Sequence, residues 1–479
     1  MIYGISNCYG ILPSDMNGDR LDFVFHHPEL EDVRDFRADH QTRLASEIVS
    51  PEYGLSLSGR AEGEVGFVNV QHLLKNGEIT PFPEVFLNDS PDGKLLEPGD
   101  ILLARSGSVG RVAMVSREFS GFAFGSFCLR LRMQPQSKLM PEFVVQFLNS
   151  RFGQRQIQLL KTGSIQMNIN SRQIQDIAVP HLELTRQSEL VTMTKAIEFE
   201  ARQLEIAAAK VRQAAADILP QELELSFAAT ENIRYFFKGG SEKPSLAFVV
   251  PADAVDDRLH YLFFHPRFEA LDELQQRYSC TTLGAPGVLS VPIRRGEQPD
   301  YDENGDVLVL KTVDLKNGSI GIDDALRVSS DFFESKAGAQ IQKGDVLIAS
   351  AGYGSMGKVD VFENDQKAMI SGELLSLRAS SNYDPYFLAY YLRSYLGQLQ
   401  IEKWFTGSSG QIHLNEGDVA QFIIPAADEN GVPLAEQQRI ASLITVRLEE
   451  ARLLEAQATN KWAESKAQFE ALLLGEAPL

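Results

Sequence analysis

Two kinds of polar, glycine-punctuated loop recur in this sequence, and they carry the side chains best suited to holding a ligand. In the first half these are Arg105, Ser106, Ser108 and Arg111 in a Gly-rich turn, with Lys161, Thr162, Ser164, Gln166 and Asn168 in a second loop. In the second half they are Ser350, Tyr353, Ser355 and Lys358, then Thr406, Ser408, Ser409 and Gln411, with His413 beside them. Arg294, Arg295 and Lys311 stand upstream and could assist. Glycine lets a backbone approach a ligand closely. Hydroxyls, amides and backbone N–H groups suit phosphate oxygens and base edges, and an arginine fork fits a guanine edge or a phosphate. Contact with DNA is one reading of these loops; solvated turns are the other.

Catalytic chemistry finds no comparable support. GYGSMGK (Gly352 to Lys358) has the spacing of a phosphate loop, but Val359 stands where Ser or Thr should hold magnesium, and the first half has only GSVGRV there. A Gly-rich turn after a strand explains it. DPYF (Asp384 to Phe387) lacks the second proline of the D-P-P-Y loop of amino-methyltransferases, and no Gly-rich cofactor loop precedes it. His26 and His27 have no H-E-x-x-H context, and His265 beside Pro266 reads as structural. There is no G-x-S-x-G elbow. Neither a catalytic residue nor a metal site is assigned. Cys8, Cys128 and Cys280 form no CxxC pair and suit reduced thiols in a cytosol.

The loops sit in a frame that occurs twice, about 240 residues apart. DRLDFVFHHP (Asp19 to Pro28) answers DRLHYLFFHP (Asp257 to Pro266), and LKNGEI (Leu74 to Ile79) answers LKNGSI (Leu315 to Ile320). PGDILLARSGSVGRV (Pro98 to Val112) answers KGDVLIASAGYGSMGKV (Lys343 to Val359) with two residues inserted. PEFVVQFLNSRFGQ (Pro141 to Gln154) answers DPYFLAYYLRSYLGQ (Asp384 to Gln398), and KTGSIQMNIN (Lys161 to Asn170) answers FTGSSGQIHLN (Phe405 to Asn415). Five blocks in one order indicate two homologous domains, closing at Pro180 and Pro425.

Each repeat reads as mixed α and β. Strands are expected at 67–70, 101–104, 307–311 and 346–349, with strand pairs or long strands at 122–133 and 368–378. Single helices are expected over 142–159 and 385–403. A long helical stripe follows each repeat, over Arg186 to Leu219 and Ala435 to Leu474. At 1.5 Å per residue these are roughly 50 and 60 Å long, and each needs its apolar stripe covered. Antiparallel pairing of the two is expected over packing of each on its own domain. The expected class is therefore α+β: two homologous mixed α/β domains separated by two long helices packed as an antiparallel coiled coil, with pseudo-twofold symmetry. The boundaries are 1–180 for the first domain, 181–224 for the first helix, 225–425 for a connector and the second domain, and 426–479 for the second helix.

A length of 479 residues suits two or more domains. With 44% hydrophobic and 23% charged residues the composition is that of a soluble globular protein, which excludes a disordered chain or a fibre. No apolar run of bilayer length and no secretion signal is visible, so a cytoplasmic protein without a membrane partner is expected. The net charge of −20 opposes a polyanionic partner on its face. Its distribution matters more. Residues 101–180 hold ten basic against three acidic residues, whereas the matching 346–425 hold five against eight, so the first domain is the better suited to DNA.

This organisation resembles the specificity (S) subunit of type I DNA restriction–modification enzymes. The likeness is carried by the Arg-Leu stretches (Arg20 to Pro28, Arg258 to Pro266) and the Gly-Asp-[Ile/Val]-Leu strands at Gly99 and Gly344. The Thr-Gly-Ser loops at Thr162 and Thr406 and the opening PLAEQQRI (Pro433 to Ile440) of the last helix add to it. The resemblance implies two target-recognition domains, each reading one half of a split, asymmetric site in double-stranded DNA, and a helical spacer that fixes the gap. It implies two methylation (M) subunits, which bind S-adenosylmethionine, clasping the helices, and restriction/translocase (R) subunits joining them. It implies no cofactor and no catalysis in this chain. The rival reading is an interaction scaffold or DNA mimic that uses the same fold without reading DNA.

Overall fold

The computed structural model describes residues 42–57, 63–80, 85–88, 94–162, 167–225, 263, 268, 270–323, 325–352, 354–408 and 411–476. The Arg20 to Pro28 stretch, Cys8, Ser164, Gln166, Tyr353, Ser409 and nearly all of the Arg258 to Pro266 stretch lie outside the described residues, as does the connector around 239–245. The chain divides into two compact units: Met1–Leu204 with Ala456–Leu479, and Glu205–Glu455.

In the first unit the strands are β1 (Thr42–Leu44), β2 (Val49–Tyr53), β3 (Val65–Val68), β4 (Phe86–Leu87), β5 (Ile101–Ala104), β6 (Val112–Met114), β7 (Ala123–Phe124), β8 (Cys128–Met133) and β9 (Ala178–Pro180). The helices are α1 (Pro141–Asn149), α2 (Arg151–Leu160), α3 (Ser171–Gln175) and α4 (Leu184–Glu222), the last belonging to this unit as far as Leu204. An antiparallel sheet has the order β2-β8-β5-β6; a smaller one has the order β4-β3-β7, with β3 and β7 parallel; β1 pairs with β9.

The second unit holds α5 (Ala270–Arg277), β10 (Cys280–Thr282), β11 (Arg294–Arg295), β12 (Val307–Leu310), β13 (Leu326–Val328), α6 (Ser330–Ser335), β14 (Gln340–Ile341), β15 (Val346–Ala349), β16 (Val359–Val361), β17 (Ala368–Ile370) and β18 (Leu374–Leu377). It continues with α7 (Pro385–Arg393), α8 (Tyr395–Trp404), β19 (Thr406–Ser408), β20 (Gln411–His413), α9 (Glu416–Ala420), β21 (Ile423–Pro425) and α10 (Leu434–Leu474), of which the part to Glu455 belongs here. The sheet orders repeat: β11-β18-β15-β16 matches β2-β8-β5-β6, β13-β12-β17-β14 matches β4-β3-β7 with one added strand, and β10-β21 matches β1-β9. The sequence repeat is a repeat of topology.

The central strands explain their own composition. Ile101 to Ala104 and Val346 to Ala349 are wholly apolar because both faces of each strand are covered. Ile101 and Leu103 pack with Phe143, Phe147 and Phe152 of the helices, while Leu102 and Ala104 pack with Val68 and Phe124 toward the smaller sheet. Val346 and Ile348 meet Phe387 and Tyr391, and Leu347 and Ala349 meet Leu308 and Leu310. Burying each such large side chain contributes about 2 kcal/mol.

The single helices expected over 142–159 and 385–403 are each two. Ser150 and Ser394 take extended backbone between the pieces, and each hydroxyl donates 2.6 Å to the carbonyl of the residue three before it, Phe147 or Tyr391. Gly153 and Gly397 then press against the preceding helix. A Cβ there would lie 2.4 Å from the Phe147 carbonyl oxygen or 2.3 Å from that of Leu392. DPYF proves to be a helix start: the Asp384 Oδ1 accepts the Phe387 N–H at 2.9 Å and Pro385 opens the helix.

Within each unit the long helices run side by side and antiparallel. In the first, Arg186 donates to the Leu472 carbonyl at 2.8 Å, Ser465 to Glu198 at 3.2 Å, and Lys461 pairs with Glu200 at 2.9 Å. In the second, Arg212 forks onto Glu455 at 2.5 and 2.7 Å and Arg439 pairs with Glu222. Small residues, Ala201, Ala208, Ala215, Ala451 and Ala458, fill the buried stripe and permit close approach. A glutamine pins each helix start to its own unit. Gln187 accepts the Met140 N–H at 2.8 Å and donates to Leu182; Gln437 accepts the Asp384 N–H at 3.0 Å and donates to Val432. No helix among the described residues is long and apolar enough to cross a membrane.

Candidate nucleic-acid interface

The first Gly-rich turn links β5 to β6. Gly107 and Gly110 take positive φ, 76° and 94°, so the chain reverses where other residues would be strained. The neighbouring loop is stitched to it: the Ile169 N–H donates to the Arg105 carbonyl at 3.0 Å, and Ser106 and Thr162 both bridge to Asn168. The structure thus brings Arg105, Ser106, Ser108, Arg111, Lys161, Thr162 and Asn168 into one region. Ser106 is buried, Thr162 is exposed, and the others are half-buried.

Ser108, Arg111 and Lys161 line one cleft of 460 Å³ with two residues the sequence did not single out, Lys75 and Lys466. Arg111 also donates to the Leu73 carbonyl at 3.1 Å, which fixes its stem in place. Arg105 points elsewhere. Its guanidinium lies 5.2 Å from the centre of the Tyr53 ring and donates to the Ser126 carbonyl at 3.2 Å. Hydrogen bonding from Ser171, helped by the Arg105 charge, holds the Tyr53 phenol below its ordinary pKa.

The second Gly-rich turn follows β15 and is joined in the same way to the β19–β20 hairpin. The Leu414 N–H donates to the Ser350 carbonyl at 2.9 Å, and Ala351 bridges to His413. Ser350 is buried and donates to the Glu373 carbonyl at 2.9 Å. Ser355 and Lys358 are half-buried in the turn; Thr406 and His413 are exposed. Ser408 and Gln411 are placed in the hairpin by their backbone. Arg294 and Lys311 are half-buried at neighbouring strand ends.

Arg295 serves the protein itself. It donates to Glu416 at 2.9 Å, to the Ser350 hydroxyl and the Gly372 carbonyl at 3.2 Å, and to the Leu414 carbonyl at 2.8 Å. Burial raises the Glu416 pKa, but the Arg295 hydrogen bonds outweigh it and leave the carboxyl below its usual value. Strand register puts Arg295 at the place of Tyr53: Tyr53 pairs with Leu129 and Leu129 with Leu103, as Arg295 pairs with Leu375 and Leu375 with Ile348. Ser350 occupies the place of Arg105. Both units therefore hold a guanidinium over matching carbonyls, Ser126 and Gly372, but recruit it from different strands.

Among the described residues no group of three or more His, Cys, Asp or Glu could hold a metal ion. Burial pushes the Cys128 thiol up to about 12 and the Cys280 thiol to about 11, so neither is a thiolate nucleophile near neutrality. Lys75 carried a sequence signal, because LKNG occurs in both repeats. Lys466 carried none: its place depends on how the last helix packs.

Comparison with known proteins bears on the second half directly. Residues 292–461 match the family described as Type I restriction modification DNA specificity domain. No curated protein matches the chain. Among solved structures, the S subunit of a type I restriction–modification system from M. genitalium is 15% identical, with 90% of this chain and 95% of that chain covered at a TM-score of 0.38. The HsdS subunit from Thermoanaerobacter tengcongensis is 16% identical, with 91% and 97% covered at 0.32. A structure described as bearing on complex assembly and conformational transition of the type I R-M system is 17% identical, with 90% and 97% covered at 0.39.

Proposed function

We propose that this chain, which carries a type I restriction-modification DNA specificity domain over residues 292–461, is the non-catalytic sequence-reading subunit of a type I complex. Residues 1–180 and 225–425 act as two target-recognition domains, each reading one half of a bipartite, asymmetric duplex site. Residues 181–224 and 426–479 act as a coiled-coil spacer that sets the gap and docks two methylation subunits. S-adenosylmethionine and base flipping belong to those partners, restriction/translocase subunits complete the cutting form, and the complex works in the cytoplasm. The observation that carries this reading is the family match; the repeated strand order extends it to the first half.

The physics supports the plan. Two weak readouts on one stiff body become one tight readout through effective concentration. Phosphate contacts set register while loop side chains at base edges specify. In this reading the acid surplus faces away from DNA and the partner subunits supply further basic surface. The second reading, a scaffold or DNA mimic, draws on the acid excess of 346–425.

Footprinting of the chain with its methylation subunits on DNA carrying the methylated site separates the two. Protection of two patches with an open gap supports bipartite reading. One continuous patch overturns it, and no protection favours the scaffold.

A further inference from the structure

We propose that Lys75, Lys161 and Lys466, with Arg111, form a clamp for the phosphate backbone of duplex DNA that exists in the first unit alone, so that the two halves grip DNA unequally. This rests on the DNA-reading function above and adds to it where the electrostatic hold is seated.

Among the described residues, no carboxylate lines the cleft these four cations share. In a chain of net charge −20 that is a local inversion, and four cations at one opening suit a polyanion with regularly spaced charges; the carboxylate of the adjoining pocket, Glu198, accepts from Gln146 and Ser465. Lys75 and Lys466 are exposed and Lys161 is half-buried, so their ammonium groups can reach outward on flexible stems. The floor is fixed. Gln154 donates at 2.8 Å to the Gly110 carbonyl and at 2.8 Å to the Leu148 carbonyl, tying the Gly-rich turn to the end of α1. Ser108 adds a hydroxyl at the rim.

The second unit keeps the frame and drops the charge. Gln398 repeats the Gln154 bonds, to the Gly357 and Leu392 carbonyls at 2.9 Å. Lys316 answers Lys75, but its ammonium turns back onto the Val313 carbonyl at 2.6 Å. Phe405 answers Lys161. Counting from the matched glutamines Gln187 and Gln437, Ala216 stands where Lys466 stands. Arg393, in the place of Asn149, is enclosed and faces Asp360 at 3.5 Å. At the turn Lys358 stands in the place of Arg111.

The test is the salt dependence of binding by the full chain to a duplex of arbitrary sequence, followed by fluorescence anisotropy from about 50 mM salt upward. Lys75→Ala, Lys161→Ala and Lys466→Ala should each lower the slope of log affinity against log salt by ~0.9, and the Lys161→Ala/Lys466→Ala pair by about twice that. Lys466→Arg should keep the wild-type slope, and Lys316→Ala should leave it unchanged. Wild-type binding with a slope that the double substitution does not move overturns the clamp and leaves the function standing. A Lys316→Ala loss as large as that of Lys75→Ala overturns the inequality. Absence of wild-type binding at the lowest salt overturns the clamp, since its four cations then supply no hold of their own, whereas the DNA-reading function stands or falls on footprinting with the methylation subunits.

Discussion

Arg378 grips Asp345 with two parallel bonds, Nε to Oδ1 at 2.7 Å and Nη2 to Oδ2 at 2.8 Å, where the carboxylate is almost wholly enclosed. The same Oδ2 accepts the Gln342 N–H at 2.9 Å, so one aspartate locks the turn into β15 and ties it to the end of β18. Arg132 and Asp100 repeat the grip at 2.7 Å, and Asp100 takes the Glu97 N–H at 2.8 Å. The Gly-Asp motif of both repeats is thus a structural lock beneath the loops, not a ligand site.

Removing one partner strands a buried charge. Arg378→Met should destabilise the second unit by about 3 kcal/mol, read as a lower urea midpoint. Adding Asp345→Asn should return much of that, because no charge is then left alone. A double variant as unstable as the sum of the two single variants would show that the pair is not coupled.

Legibility followed the range of the interactions. The central strands at 101–104 and 346–349 were plain from their unbroken apolar runs, and the long helices from their three- and four-residue steps. The Gly-Asp turn was visible too, but its arginine was not, since Arg378 lies 33 residues from Asp345. The breaks at Ser150 and Ser394 escaped because the apolar periodicity runs through them. The Ser-x-x-Gly spacing in each repeat was the available signal, and it reports a glycine forced against a neighbouring helix end. Lys466 was beyond any local rule, since packing of the last helix decides its neighbours.

The exchange of Tyr53 and Arg105 for Arg295 and Ser350 predicts compensation. Arg295→Tyr alone removes a guanidinium with four partners and leaves Glu416 unmatched, at a cost of about 2 kcal/mol. Ser350→Arg added to it rebuilds the arrangement of the first unit and should restore over half of the loss in chemical denaturation. No recovery in the double variant would mean that the two units solve this corner independently.

His72 gives the fold a pH dependence. Its Nδ1 accepts the Asn69 N–H at 3.0 Å, so the ring is neutral there, and burial holds its pKa below the ordinary 6.5. The unfolded chain therefore takes up the proton first. This contribution is complete above pH 6.5 and declines as the pH falls through and below that value. Thermal unfolding of wild type and His72→Gln between about pH 5 and 8 should converge at the acid end. Parallel profiles would exclude His72 as the titrating group.

The proposed spacer role makes a geometric prediction. Arg212–Glu455 and Lys461–Glu200 mark stretches where the two long helices face each other, so an insertion must enter both to keep their stripes in contact. Four residues at Ala207 to Ala209, matched by four between Glu455 and Thr459, lengthen the pair by about 6 Å. At about 3.4 Å per base pair that is close to two base pairs of B-form DNA. Sequencing of methylated adenines in a host carrying the variant and its methylation partner should show the gap widened by about two while both half-sites stay as they were. A gap of unchanged length removes the spacer role from these helices. Altered half-sites would instead mean that the loops are not positioned by their own units, contrary to the separate glutamine anchors at Gln187 and Gln437.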